Sequence, residues 1–313
     1  MGDDTHIKDP RVHVDLAHLR AMERHARAIS FLPRQPARSA LNGRHASRLR
    51  GRGLNFEELR NYQQGDDIRT IDWKVTARTG EPYVRVYTEE RDRPALLLVD
   101  QRMNMFFGSR LNMKSVTAAE AAALAACRLR MQGDRVGGLV FSDAAVAELP
   151  PRASGAALNR FLSVLADANG ALHAGLEVET SLPLNRVLES AVKISKTGMM
   201  ILIFSDFSGA DDQSEKLVRQ LSMHNDVILF PISDPTGHDL PEDFRIVASD
   251  GRLQVEIDGT TGDTVQHVRD ITNARLGRVL DWSRKYGMSV LPLSAGLETL
   301  PQILSLLGAR AGR

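Results

Sequence analysis

Two short, wholly apolar runs, residues 95–99 and 199–204, constrain this chain more than any other feature, because each leads into an aspartate, Asp100 and Asp206. Neither run approaches the roughly 20 apolar residues that a membrane-spanning helix needs. With no polar face to show to water, each reads as a strand buried on both sides, the habit of a parallel sheet covered by helices. The segments around them alternate in kind. Residues 115–131 are alanine-rich and helical, with Gly133 just past their end, and 155–166, 183–196, 213–223, 264–286 and 297–307 also read as helices. Residues 135–141, 146–149, 227–232 and 289–293 read as strands. Strand alternating with helix implies an α/β fold with a doubly wound, mostly parallel sheet.

Two regions depart from that rhythm. Residues 246–258 alternate around Asp250-Gly251, a hairpin signal that marks a small β insertion. Upstream, 15–29 reads as a helix stopped by Pro33 and Pro36, 56–62 as one or two helical turns, and 83–89 as a half-buried strand. The expected organisation is a basic N-terminal arm and motif segment, 1–93, packing on an α/β domain, 94–313.

Composition matters at three points. A hydrophobic share of 42% in 313 residues supplies a core, so neither disorder nor a fibrous repeat is expected. The single cysteine, Cys127, rules out an intramolecular disulfide and a Cys-rich zinc site, and it reads as a small core residue. The start, Met1-Gly2-Asp3-Asp4, lacks the apolar stretch of a signal peptide, so a soluble cytoplasmic protein is expected.

The net charge of +1 hides an uneven distribution. Between Arg24 and Phe56 there are eight arginines and no acid, whereas 57–92 carries nine acids against six bases. A basic arm can bind phosphate backbones or an acidic protein. No aromatic-rich strand or binding motif accompanies these arginines, so solvated or acid-paired side chains are the plainer reading and nucleic acid is not an expected partner.

In an open parallel sheet, ligands bind beyond the carboxyl ends of the strands where the strand order reverses. Asp100 and Asp206 occupy such ends, with no glycine-rich turn or P-loop to cradle a phosphate. A hard cation such as Mg²⁺ is the natural ligand for acids in that position. Here the sequence resembles a known family. Asp100-Gln-Arg-Met-Asn104, Thr180 before a helix, and Phe204-Ser-Asp206 resemble the three loops of a von Willebrand factor type A domain, whose metal-ion-dependent adhesion site uses D-x-S-x-S, a threonine and a later aspartate. A second motif, Tyr62-x-x-Gly65-Asp66-Asp67-x-Arg69-x-Ile71-Asp72-Trp73 with Ala77-Arg78, is more specific. Together with Gly133-Asp-Arg-Val-Gly137, Ser205-Asp-Phe207 and Asp234-Pro235, it is similar to the bacterial family called domain of unknown function 58.

The adhesion-site loop departs from that pattern, with Arg102 and Asn104 where the two serines would stand. A guanidinium has no lone pair for a metal. Arg102 is therefore expected either to pair with Asp100 or Asp206 in a cation's place or to turn outward to a partner. Asn104, Thr180, Asp100 and Asp206 remain as a degenerate metal set, and no cofactor is expected. The Gly65–Arg78 motif has two readings. Asp66, Asp67 and Asp72 gather a metal for hydrolysis, or the segment is structural. In the second reading Asp66 or Asp67 caps a turn, Arg69 and Arg78 pair with Asp72, and Trp73 anchors it on the sheet. The structural reading is favoured, since no histidine or nucleophile accompanies the acids.

The resemblance implies a non-enzymatic interaction module acting with a MoxR-type AAA+ ATPase in chaperone-like assembly or maturation of other proteins. On that view, the face carrying Asp100, Arg102, Asn104, Thr180 and Asp206 docks the partner. A metal-dependent hydrolase built on Asp66, Asp67, Asp72 or on Asp100, Asp206 is the alternative, and an arginine-rich nucleic-acid binder a third.

Overall fold

A computed structural model of the protein describes residues 9–31, 54–63, 71–89, 92–176, 178, 180–235, 245–249, 254–258 and 262–307. In chain order, the N-terminal stretch contributes α1 (Leu16–Ala21), α2 (Glu23–Ala26), β1 (Leu54–Asn61), α3 (Trp73–Thr79) and β2 (Tyr83–Glu89). Next come β3 (Pro94–Asp100), α4 (Lys114–Gln132), β4 (Arg135–Phe141), β5 (Val146–Arg152), α5 (Gly155–Gly170) and α6 (Leu184–Ile194). The rest consists of β6 (Met200–Ser205), α7 (Asp212–Ser222), β7 (Asp226–Ser233), β8 (Arg245–Ser249), β9 (Gln254–Asp258), α8 (Gly262–Tyr286), β10 (Ser289–Val290), β11 (Leu293–Ser294) and α9 (Thr299–Leu307).

The main sheet runs β10-β7-β6-β3-β4-β5, with β11 also pairing β7. All pairings are parallel except β4 with β5, an antiparallel edge hairpin. This is the doubly wound, mostly parallel α/β arrangement that the two apolar runs imply. Chain order reverses between β3 and β6, which pair in parallel from Ala95 with Met200 to Val99 with Phe204. The carboxyl ends of those strands deliver Asp100 and Ser205-Asp206 to the same edge.

The period of two along β3 explains why it has no polar residue until its end. Ala95, Leu97 and Val99 enter a core with α4, α5 and α9, while Leu96 and Leu98 enter the opposite core with α6, α7 and Trp282 of α8. Gly138 in β4 is required by close packing, because a Cβ there would lie 2.6 Å from the Phe161 ring of α5 and 2.5 Å from the Leu97 carbonyl. The expected helix over 15–29 is two short helices, α1 capped by Asp15, whose carboxylate accepts the His18 N–H at 2.7 Å. Val14, Leu19, Ile29 and Phe31 are buried in the first core. Cys127 is buried in α4, and burial pushes its thiol up to about 12, as befits a core side chain.

The chain divides into two compact units, Gly51–Asp92 and the remainder, so the stretch taken from sequence as one arm over 1–93 falls on both sides of that division. In the small unit β1 and β2 pair antiparallel from Leu54 with Glu89 to Asn61 with Tyr83. The expected helical turns over 56–62 are therefore a strand. Glu57-Glu58-Leu59 has local helical character, but the cross-strand ladder with 83–89 supplies the backbone's hydrogen-bond partners and overrides it. The 246–258 insertion is the antiparallel hairpin β8–β9. Among the described residues, no helix is long and apolar enough to cross a membrane.

Candidate functional site

At the carboxyl end of β3, Asp100 is completely buried, and its two oxygens are held from three directions. Arg102 Nε donates to Oδ1 at 3.0 Å and Nη2 to Oδ2 at 2.7 Å, a bidentate guanidinium–carboxylate pair, with the Arg102 N–H adding a third bond to Oδ1 at 3.1 Å. Ser205 Oγ, from the end of β6, donates to Oδ2 at 2.6 Å. Two more guanidinium hydrogens go to the Leu182 carbonyl at 3.0 Å and the Ser208 carbonyl at 3.3 Å, and the group lies over the Phe141 ring. Arg102 is only 3% exposed. Burial works against its charge, but Asp100, helped by Asp206 and Asp143, more than offsets this and holds its pKa above the ordinary value.

Asp206 has a different cation. Lys114 Nζ, from the first residue of α4, donates to Oδ2 at 2.6 Å, and Arg275 of α8 stands 3.8 Å away. Oδ1 accepts from Asn104 Nδ2 at 2.7 Å and from the Ser208 N–H at 2.9 Å. Burial tends to raise the Asp206 pKa, but the Lys114 charge and these hydrogen bonds prevail and hold it below the ordinary carboxylate range. The backbone turns sharply just past this carboxylate: Phe207 has φ 56°, a left-handed conformation unusual for a bulky residue. That turn lets the Phe207 N–H reach Ser205 Oγ at 2.9 Å.

The structure thus brings together four of the residues singled out from sequence, Asp100, Arg102, Asn104 and Asp206. Thr180 is exposed in the neighbouring loop and outside this network; that loop reaches the site through the Leu182 carbonyl and through Ser181, whose hydroxyl donates to Asp143. Arg102 does not face outward. Lys114, Ser205, Asp143 and Arg275 belong to the site and were not read from sequence as its members. Lys114 had a signal: a cation at the first turn of a helix opposes the macrodipole, an anomaly that asks for a fixed anion nearby.

Of the second motif, Gly65, Asp66, Asp67 and Arg69 lie outside the described residues. Tyr62 is half-buried at the end of the small unit's hairpin, its N–H bonded to the Pro82 carbonyl at 2.8 Å. Asp72 is buried and caps α3, accepting the Lys74 and Val75 N–H groups at 3.0 and 3.2 Å. Arg78 is exposed in the last turn of α3. Trp73, expected to anchor the segment, is 68% exposed.

The donor set at the sheet end does not suit a divalent cation. Mg²⁺ asks for six oxygen ligands in near-octahedral array, yet both oxygens of each aspartate already accept hydrogen bonds from cationic or N–H groups, and Asn104 presents its N–H₂ side to Asp206. Arg102 and Lys114 would repel an incoming dication. No cluster of three or more His, Cys, Asp or Glu side chains able to hold a metal occurs among the described residues.

Comparison with known proteins places this geometry in a wider setting. Uncharacterized proteins of Mycobacterium bovis and of two strains of Mycobacterium tuberculosis are each 27% identical over 288 residues, covering 91% of this chain and 88% of theirs. A solved structure described as von Willebrand factor type A from Catenulispora acidiphila covers 62% of this chain and 45% of its own, at 11% identity and a TM-score of 0.32. The family described as Protein of unknown function DUF58 matches residues 58–285, a span holding both the exposed Trp73 and the paired carboxylates, and the chain belongs to that family.

Proposed function

We propose that this protein is a non-enzymatic protein-interaction module that works with a MoxR-type AAA+ ATPase in the assembly or maturation of other proteins. The observation that carries the reading is the exposure of Trp73. Tryptophan is usually well buried, and one left in water on a short helix forgoes about 25 cal/mol for each Å² of apolar surface left unburied. Tryptophan and arginine are the side chains that most often dominate binding at interfaces. Lys74, Ala77 and Arg78 are exposed on the same helix, and helical spacing sets 77 beside 73 and 78 beside 74. An aromatic anchor beside two cations suits a partner surface with an apolar pocket and acidic rim.

The sheet-end carboxylates support the non-enzymatic half of the reading. Asp100 and Asp206 are buried and committed to Arg102 and Lys114, so neither is placed to activate water or to shuttle a proton. Docking is thereby moved away from the Asp100–Arg102 face expected from sequence, because those groups do not reach the surface. Affinity purification of the full chain from its native host, with nucleotide trapped, tests the proposal. The parent should retain an AAA+ ATPase that Trp73→Ala releases. A parent that recovers no ATPase, or divalent-dependent hydrolysis by the purified chain, would count against it.

A further inference from the structure

We propose that Arg102 and Lys114 together take the place of a divalent cation at the switch point of the sheet, so that this end of the molecule is held in one state without metal. The inference concerns the chain's own chemistry and stands whichever partner it has.

Two acids delivered to one edge by parallel neighbouring strands need positive charge close by, since two buried carboxylates repel and one would otherwise take up a proton. The structure supplies two unit charges in place of one double charge, and it assigns them separately. Arg102 reaches back two residues to hold Asp100 by both oxygens, at 3.0 and 2.7 Å. Lys114 crosses from the start of α4 to hold Asp206 at 2.6 Å. Each cation has its carboxylate as its charged partner. Both are buried, at a cost in lost hydration that only a well-placed anion offsets. Lys114 also faces the unfavourable end of its helix dipole. The backbone accepts a left-handed conformation at Phe207 beside the same site, of the kind that persists only where surrounding contacts over-determine it.

The two ion pairs are also tied into the loops around them. Ser205 links the two strands by donating to Asp100 while accepting the Phe207 N–H. Asn104, in the same loop as Arg102, donates to Asp206. Two of the guanidinium's other three hydrogens go to carbonyls of the Leu182 and Ser208 loops, so Arg102 stitches together the three loops that a metal would otherwise bridge. It follows that the arrangement of these loops should be insensitive to magnesium and to chelators.

The experiment is thermal unfolding and calorimetric Mg²⁺ titration of the full-length parent, Arg102→Ser, and the double variant Arg102→Ser/Lys114→Ser. The parent should unfold at the same temperature in EDTA and in excess Mg²⁺. The double variant should unfold at a clearly lower temperature in EDTA and regain much of the loss, saturably, as Mg²⁺ is added, because hydroxyl oxygens then stand where the cations were. Stabilisation of the parent by Mg²⁺ overturns the proposal. So does a double variant that matches the parent in EDTA, or one that is weakened yet blind to Mg²⁺, which would leave ordinary buried ion pairs. If the double variant does not fold, Lys114→Met and Lys114→Met/Asp206→Leu decide. Removing the cation alone should lower the unfolding temperature, and removing both charges should restore most of it. Equal losses in the two would overturn the assignment of Lys114 as the counter-charge.

Discussion

The protein has two tryptophans, and they stand for two ways of using a side chain. In the α/β unit Trp282 is fully buried, packs edge-on to Phe207, and donates its ring N–H to Glu215 at 3.2 Å. Lys285 and the Tyr286 hydroxyl converge on the same carboxylate, so that one acid of α7 fastens the end of α8. In the small unit Trp73 projects into solvent from a helix whose only buried residue next to it is its cap, Asp72. The larger unit hides even its charges, pairing Asp100 with Arg102 and Asp206 with Lys114. The smaller one leaves its largest apolar side chain uncovered. Polar groups satisfied inside a fold specify that fold, whereas apolar groups left outside it are available to something else.

The sharpest way to break this contrast is to shorten both tryptophans and compare the losses. Trp282→Ala should cost about 3 to 5 kcal/mol of unfolding free energy, the range for emptying a large aromatic site, and it also strands a Glu215 bond. Denaturant unfolding followed by circular dichroism would measure it. A loss near that of an ordinary surface change would mean that α8 does not depend on this ring.

Next in size is the charge pairing that distinguishes the larger unit. Lys114→Met keeps the apolar stem but leaves Asp206 buried with Asn104, the Ser208 N–H and the more distant Arg275 as company. Removing one partner of a buried pair typically costs about 3 to 5 kcal/mol, and the remaining donors place the expectation at the lower end. The variant should also lose part of a pH dependence that the parent has. The Asp206 carboxyl is held below its ordinary pKa in the parent, so its contribution is present above the unfolded value and is lost as pH falls through the folded one. Without Lys114 the folded value rises toward the unfolded one, so the stability lost on acidification should shrink. A loss of stability on acidification as large as the parent's would remove Lys114 from the account.

The same contrast separates what was legible in the sequence from what was not. The strands at 95–99 and 199–204 were readable because burial on both faces leaves an unbroken apolar run, and the guanidinium beside Asp100 was readable because it lies two residues away. Lys114 was not read, since its partner lies 92 residues on and only the sheet order brings them together. The strand Leu54–Asn61 was misread as helical turns for a like reason: its identity is set by pairing with Tyr83–Glu89 and not by its own residues. Trp73 was expected to pack because tryptophan usually does. Its exposure is set by what the rest of the fold leaves uncovered, which the local sequence around it does not reveal.

A smaller effect belongs to the N-terminal helices of the larger unit. His18 Nε2 meets Glu120 of α4 at 2.6 Å, and this hydrogen bond to the carboxylate raises the imidazole pKa above its ordinary 6.5. A raised folded pKa stabilises fully below the unfolded value and ceases to as pH rises through the folded one. Unfolding free energy should therefore decline by up to about 1 kcal/mol, as for a partly exposed pair, as pH climbs above 6.5. His18→Gln should flatten that decline. A parent whose stability rises over the same interval would contradict the pairing.

The smallest expected change is the one that weighs most on function. Trp73→Ala removes an indole that the folded chain scarcely covers, so its effect on stability should lie within about 0.5 kcal/mol, the usual range for surface substitutions. Asp72 would keep its cap on Lys74 and Val75, because those bonds are made to backbone N–H groups and are blind to the side chain at 73. Binding should respond quite differently, since truncating an aromatic anchor commonly costs 2 kcal/mol or more at an interface, roughly a 30-fold weaker association. Lys74→Glu tests the patch from its charged side. It should leave folding alone, slow association with an acidic partner, and reduce the salt dependence of that association. Should Trp73→Ala instead destabilise the fold by several kcal/mol, the ring is covered in solution. The two tryptophans would then be alike after all, and the docking surface would have to be sought elsewhere on the molecule.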